Sequence, residues 1–223
     1  MTGIFYYKNL KTDIPEDLFT KLDKAAHSIR HRGNQSRLEY KNTKEYLAIY
    51  TNNAQKYINS PIFCPSKTKN GKSFVVVDGN IENEDELKLK LFDSLDNPFS
   101  INQCIYEGYK KYGNEFFRYL NGQYSLLIKE GDYVIAVRDP IGFNPLYKMN
   151  VENGSIYCSE LKGFAGFQGT PELLKPGVIY HQKIEQESTH PFFQFDTIST
   201  EKSIIKKSVN TIKSSMYNTL DSI

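Results

Sequence analysis

The chain has 223 residues, 28 basic against 26 acidic side chains for a net charge of +2, and 39% hydrophobic residues. That is enough to bury the core of one domain, or of one domain plus an appendage. The near-neutral balance gives no electrostatic footprint for nucleic acid or an anionic membrane. No apolar run is long enough to span a bilayer, and no basic segment followed by an apolar stretch opens the chain. A cytoplasmic, non-membrane protein is therefore expected. Cys64, Cys104 and Cys158 are odd in number and far apart, so they read as core or surface thiols. The four histidines show no metal-ligand spacing, and no metal is expected.

Taken in chain order, residues 4–7 predict a first strand. Asp13-Ile14-Pro15-Glu16 predicts a helix start with Asp13 as cap, followed by an apolar stripe at Leu18, Leu22, Ala25 and Ile29. Gly33 ends it. Short strands are expected at 38–40 and 46–50, and a buried strand at 74–77. Residues 83–93 predict a helix, although Leu87, Leu89 and Leu91 alternate. Ile101, Ile105, Gly108 and Tyr112 share a helical face. Strands at 123–128 and 133–137 flank Lys129-Glu130-Gly131-Asp132, a hairpin signal, and two more are expected around Asn153-Gly154. Residues 190–195 read as a connector. Residues 201–220 predict an amphipathic helix whose apolar stripe needs a covering surface. Short hairpinned strands with a few helices predict an α+β layered domain with antiparallel sheets.

The order of short motifs resembles the N-terminal glutaminase domain of asparagine synthetase, a class II glutamine amidotransferase of the N-terminal nucleophile type. The resemblance rests on Met1-Thr2-Gly3-Ile4-Phe5, Ile29-Arg30-His31-Arg32-Gly33, Asp78-Gly79-Asn80-Ile81-Glu82-Asn83 and Leu120-Asn121-Gly122. It continues in Arg138-Asp139-Pro140-Ile141-Gly142, Pro145-Leu146-Tyr147, Ser159-Glu160-Leu161-Lys162 and Pro176-Gly177. It implies a four-layer αββα sandwich over residues 1–185, a connector over 186–200, and in 201–223 the first helix of a synthetase domain absent from this chain. It also implies a synthetase domain as partner, in cis or in trans, and leaves homodimerisation open. No cofactor is expected in this chain; ATP and magnesium would belong to the synthetase domain.

Glutamine hydrolysis in this family implies an N-terminal nucleophile activated by its own α-amine, oxyanion donors, and charged groups on the substrate's carboxylate and ammonium. Position by position, the chain departs from that pattern. Thr2 stands where the family has cysteine. The stretch Leu47-Ala48-Ile49-Tyr50-Thr51-Asn52, with Thr51 as the substrate-binding position, lacks the carboxylate-binding arginine. Asp78-Gly79-Asn80 replaces asparagine-glycine-glutamate, so Asp78 exchanges an oxyanion donor for an acceptor and Asn80 removes a charge. Ile101 falls where an aspartate would hold the ammonium. Arg138, Asp139 and Gly142 read as structural.

Losing one buried charged partner costs about 2–5 kcal/mol, so these changes together predict a scaffold without independent glutaminase activity. The synthetase it serves would form asparagine, a β-lactam or a lasso-peptide amide. Two alternatives stay open: an N-terminal threonine amidohydrolase using Thr2 on another substrate, and a protein-interaction module.

Overall fold

The computed structural model describes residues 2–11, 13–52, 73–96, 98–183 and 186–193. Cys64 and the expected tail helix over 201–223 lie outside them. The first sheet has the order β2-β3-β1-β8-β7-β9, built from β1 (Thr2–Asn9), β2 (Ser36–Lys41), β3 (Glu45–Thr51), β7 (Tyr147–Val151), β8 (Gly154–Cys158) and β9 (Glu172–Leu173). The second has the order β11-β10-β6-β5-β4, from β4 (Phe74–Ile81), β5 (Gly122–Glu130), β6 (Tyr133–Arg138), β10 (Val178–Lys183) and β11 (Gln186–Pro191). Every pairing described is antiparallel.

Alternating side chains sort into three cores, which is what the two-residue period of a strand dictates when both of its faces are covered. Ile4 and Tyr6 of β1, Leu47 and Ile49 of β3, Val76 of β4, Leu127 of β5 and Val134 of β6 pack between the sheets. Phe5, Tyr7, Ala48 and Tyr50 face outward, against Leu22, Ala25 and Ala26 of α1 (Glu16–His27). On the far side, Val75, Val77, Leu126 and Val137 pack under α2 (Glu84–Phe92) and α3 (Ile101–Tyr112). The layers are therefore helix, sheet, sheet, helix, the αββα arrangement expected.

Local details differ from the sequence reading. The cap position of α1 is Pro15, with no side-chain cap, and Asp13 instead pairs with Lys44 at 3.5 Å. A capping box between Ser100 and Gln103 starts α3. Only Leu87 of the alternating leucines in α2 is fully buried. Gln186–Pro191, expected within a connector, pairs along β10 as an edge strand, and the compact unit runs to Phe193. Among the described residues no helix is long and apolar enough to cross a membrane.

Candidate active site

Thr2 opens β1 in one sheet, and Asp78 lies towards the end of β4 in the other. Both are buried, and they meet across the inter-sheet gap. The Thr2 backbone N–H donates to Asp78 Oδ1 at 2.9 Å. Arg32, in the short 3-10 turn Arg30–Arg32 after α1, pairs with Asp78 Oδ2 through Nη2. Its Nε donates to the Thr2 carbonyl at 3.1 Å, and its Nη1 donates to Glu160 Oε1 at 3.0 Å. His31 Nε2 lies 3.2 Å from the same Glu160 oxygen and 3.3 Å from Lys162 Nζ. A chain of charged groups thus runs from the surface to the start of β1.

Burial pushes the Asp78 carboxyl up. The Arg32 charge and the Thr2 N–H oppose this but leave it above the usual range. Glu160 goes the other way. Burial raises it, but the Arg32 bond and charge, with His31, hold it below the usual range.

Backbone register builds the cluster. Thr2 is the partner of Thr51 in the β1–β3 ladder. Gly33 lets the loop after Arg32 press on that ladder, because a Cβ there would sit 2.2 Å from the Thr51 nitrogen. Gly79 has φ +114°, a region that disfavours side chains. A Cβ on it would lie 2.0 Å from the Gln123 carbonyl and 2.2 Å from Asn144 Nδ2. That amide donates to the Asp78 carbonyl at 3.1 Å and to the Gln123 carbonyl at 3.0 Å.

Asn144 is held in turn by Arg138 and Asp139. Asp139 Oδ1 accepts from the N–H groups of Ile141 at 2.9 Å and Gly142 at 2.7 Å. Its Oδ2 accepts from those of Phe143 at 3.0 Å and Tyr124 at 3.1 Å. Arg138 donates to the carbonyls of Asn144, Leu174 and Gly142.

Of the residues expected at the site, Thr2, Thr51, Asp78 and Gly79 come together. Asn80 is exposed and pairs in register with Gln123. Ile101 begins α3, and its side chain lies in the helix-side core with Leu87 and Ile105. Three residues escaped sequence reasoning: Arg32, Glu160 and Asn144. Arg32 and Glu160 carried a signal, since both are charged residues in motifs on which the resemblance rests. A cleft of about 560 Å³ opens beside Gly33, lined by His27, Arg30, His31, Arg37 and Tyr50. Arg37 in that cleft is already committed, to Asp23, to Glu39 at 2.6 Å and to the Tyr46 hydroxyl at 2.7 Å. Elsewhere, burial lifts the Cys104 thiol to about 11 and the Cys158 thiol to about 12, so both stay protonated near neutral pH.

The fold is shared with solved amidotransferases. Glutamine phosphoribosylpyrophosphate amidotransferase from B. subtilis superposes with a TM-score of 0.67 at 19% identity, over 86% of this chain and 50% of that one. A structure described as the allosteric regulatory enzyme of purine biosynthesis gives 0.67 at 21% identity, over 86% of this chain and 49% of its own. Two antiparallel sheets between helices, with Thr2 buried where they meet, make this an α+β sandwich with the fold of these amidotransferases.

Residues 60–166 match the family described as glutamine amidotransferase domain. Asparagine synthetase [glutamine-hydrolyzing] 1 of Arabidopsis thaliana is 30% identical over 183 residues, 77% of this chain and 30% of its own length. The Zea mays enzyme of the same description is 34% identical over 128 residues, 56% and 21% respectively. The chain carries a glutamine amidotransferase domain homologous to the N-terminal glutaminase domain of asparagine synthetases. Its matches span between a fifth and a third of the length of these relatives.

Proposed function

We propose that this domain no longer hydrolyses glutamine and serves as a scaffold for an ATP-dependent, amide-forming synthetase domain, in cis or in trans. The observation that supports this most is the Asp78 carboxylate, buried and bonded to the Thr2 N–H and Arg32. At this position the family pattern has an amide that donates to the oxyanion of the tetrahedral intermediate. A carboxylate only accepts, and it sets negative charge where negative charge would have to form. It also acts on the base. Were Met1 removed, the Thr2 α-amine would lie against Asp78 and be held as an ammonium. An ammonium cannot take the proton from the Thr2 hydroxyl, the step such a nucleophile depends on. Asn80 and Ile101 offer no charge to a substrate ammonium.

The names of the relatives point to asparagine as the amide formed. A β-lactam or a lasso-peptide amide would be the product of the same chemistry on another carboxylate. ATP and magnesium would be bound by the synthetase domain.

The test is release of ammonia and glutamate from glutamine by the purified chain. The expected rate is that of buffer. Turnover that disappears in Thr2→Ala would overturn the proposal and establish a threonine amidohydrolase instead. Intact mass supplies a second check, since retention of Met1 blocks the Thr2 amine outright.

A further inference from the structure

Tyr7 lies five residues along β1 from Thr2, about 17 Å at strand spacing, on the face of the first sheet that packs under α1. There α1, the β7–β8 turn and the loop after the short 3-10 turn Leu161–Phe164 border a cleft of about 200 Å³. Leu18, Val151 and Phe167 are its apolar lining.

One polar group in that lining is both buried and unmet. Tyr7 is 1% exposed, and its hydroxyl has no hydrogen-bond partner among the described residues. A Cβ at Gly154 would lie 3.0 Å from Tyr7 Cζ, the carbon that carries the hydroxyl. The polar tip of the ring therefore sits beside the β7–β8 turn that borders the cleft. Buried tyrosine hydroxyls normally find a partner, because an unmet one bears its full desolvation penalty. Burial also pushes this phenol up to about 12, so near neutral pH it keeps its proton and can donate. Two charged side chains join it from other elements. The Lys21 ammonium of α1 stands 4.5 Å from the centroid of the Phe167 ring and makes no ion pair among the described residues. The Phe167 N–H donates to the Phe164 carbonyl at 3.1 Å, which ties the loop that carries this ring. Glu152, in the β7–β8 turn, lines the same cleft and also makes no ion pair among the described residues.

We propose that this cleft binds a free amino acid with an apolar side chain, of the size of leucine. Its carboxylate takes the Lys21 ammonium and the Tyr7 hydroxyl, both donors, and the charge-assisted bond to the phenol meets the group the fold leaves unmet. Its α-ammonium takes Glu152. Its hydrocarbon side chain lies against Leu18 and Phe167. At about 200 Å³ the cleft is below the roughly 300 Å³ at which pockets for drug-sized ligands begin, which suits a ligand this small. The site lies apart from the Thr2–Asp78 cluster, and leucine carries no side-chain amide, so the proposal stands or falls independently of glutamine hydrolysis.

L-Leucine is titrated into the full chain by calorimetry, beside isocaproate, which lacks the ammonium, and isoamylamine, which lacks the carboxylate. Saturable binding of one leucine per chain is expected, with each analogue weaker by about tenfold, the loss of one charge-assisted contact. Lys21→Gln and Glu152→Gln change exposed positions and should each weaken leucine binding by about tenfold. Tyr7→Phe should weaken it similarly while leaving the urea midpoint unchanged or higher, because it removes a hydroxyl that the unliganded fold leaves unmet. A lowered midpoint with unchanged affinity in Tyr7→Phe would give that hydroxyl a purely structural role and overturn the proposal. Absence of saturable leucine binding at about 10 mM, a ceiling of only weak affinity, would do the same. So would isocaproate that binds as tightly as leucine, or affinity unchanged in the Lys21→Gln, Tyr7→Phe double variant.

Discussion

Arg32 joins both sheets to the start of β1. It touches the Thr2 carbonyl, Asp78 and Glu160 at once. Replacing one partner of a buried pair strands the other, and the stranded group here is a fully buried carboxylate. Arg32→Met should therefore destabilise the domain by about 3–5 kcal/mol near neutral pH, measured by chemical denaturation. The sign of its pH dependence follows from Asp78. Burial already holds that carboxyl's folded pKa above its unfolded value, and losing Arg32 raises it further. The ionised group thus costs stability as pH rises through the folded pKa, and protonation relieves it. The deficit of Arg32→Met should shrink as pH falls towards the carboxylate range; a deficit that grows instead would assign Asp78 the opposite role.

At the scale of elements, the turn after β6 shows how a short motif becomes rigid architecture. Asp139 alone gathers four backbone N–H groups, three in the turn and one on β5. Arg138 ties the carbonyls of the same turn. The result delivers Asn144 to the backbone of Asp78 and Gln123, beside Gly79. Bonds to a charged acceptor are worth about 1.5–3 kcal/mol each in isolation and overlap when shared, so Asp139→Ala should cost about 3 kcal/mol in a urea melt. Asp139→Asn keeps one acceptor oxygen and should lose less. Equal losses would mean the charge, not the acceptor geometry, holds the turn.

The same scale explains the misread elements. Residues 178–191 lack a clean apolar alternation, because β11 is an exposed edge and β10 carries His181 and Gln182. Those polar side chains are satisfied by distant partners: His181 by Asn114 at 2.9 Å and Gln182 by the Tyr157 hydroxyl at 2.7 Å. Local pattern carries no trace of such partners.

For the molecule as a whole, the inter-sheet core is what makes two sheets one domain. Leu127 of β5 packs there with residues of both sheets, including Ile4, Tyr6 and Ile49 from the other. Leu127→Ala should cost about 2–5 kcal/mol, by lost transfer energy and the cavity left behind. Hydrogen exchange should then quicken in β1 and β3 as well as in β4 to β6, since the layers share one core. Acceleration confined to the second sheet would show that the sheets unfold separately.

Much of this was present in the linear chain. Short apolar runs in β1, β3, β4, β5 and β6, the helical stripes of α1 and α3, and the Gly131-Asp132 hairpin turn follow from the length and composition of strands buried on both faces, from the 3.6-residue helical period and from local turn chemistry. The motif order carried the layered fold, and it drew attention to Thr2, Thr51, Asp78 and Gly79 before any geometry was known. Contacts between residues far apart in the chain were decided only by tertiary structure. Arg32 meets Asp78 across 46 positions and Glu160 across 128, and Lys8 meets Asp132 across 124. Burial decides what those contacts mean, because a carboxylate or an ammonium changes its preferred state only once water has been taken away. That is why Asp78 could be read from sequence as a changed residue, while its pairing with Arg32 could not.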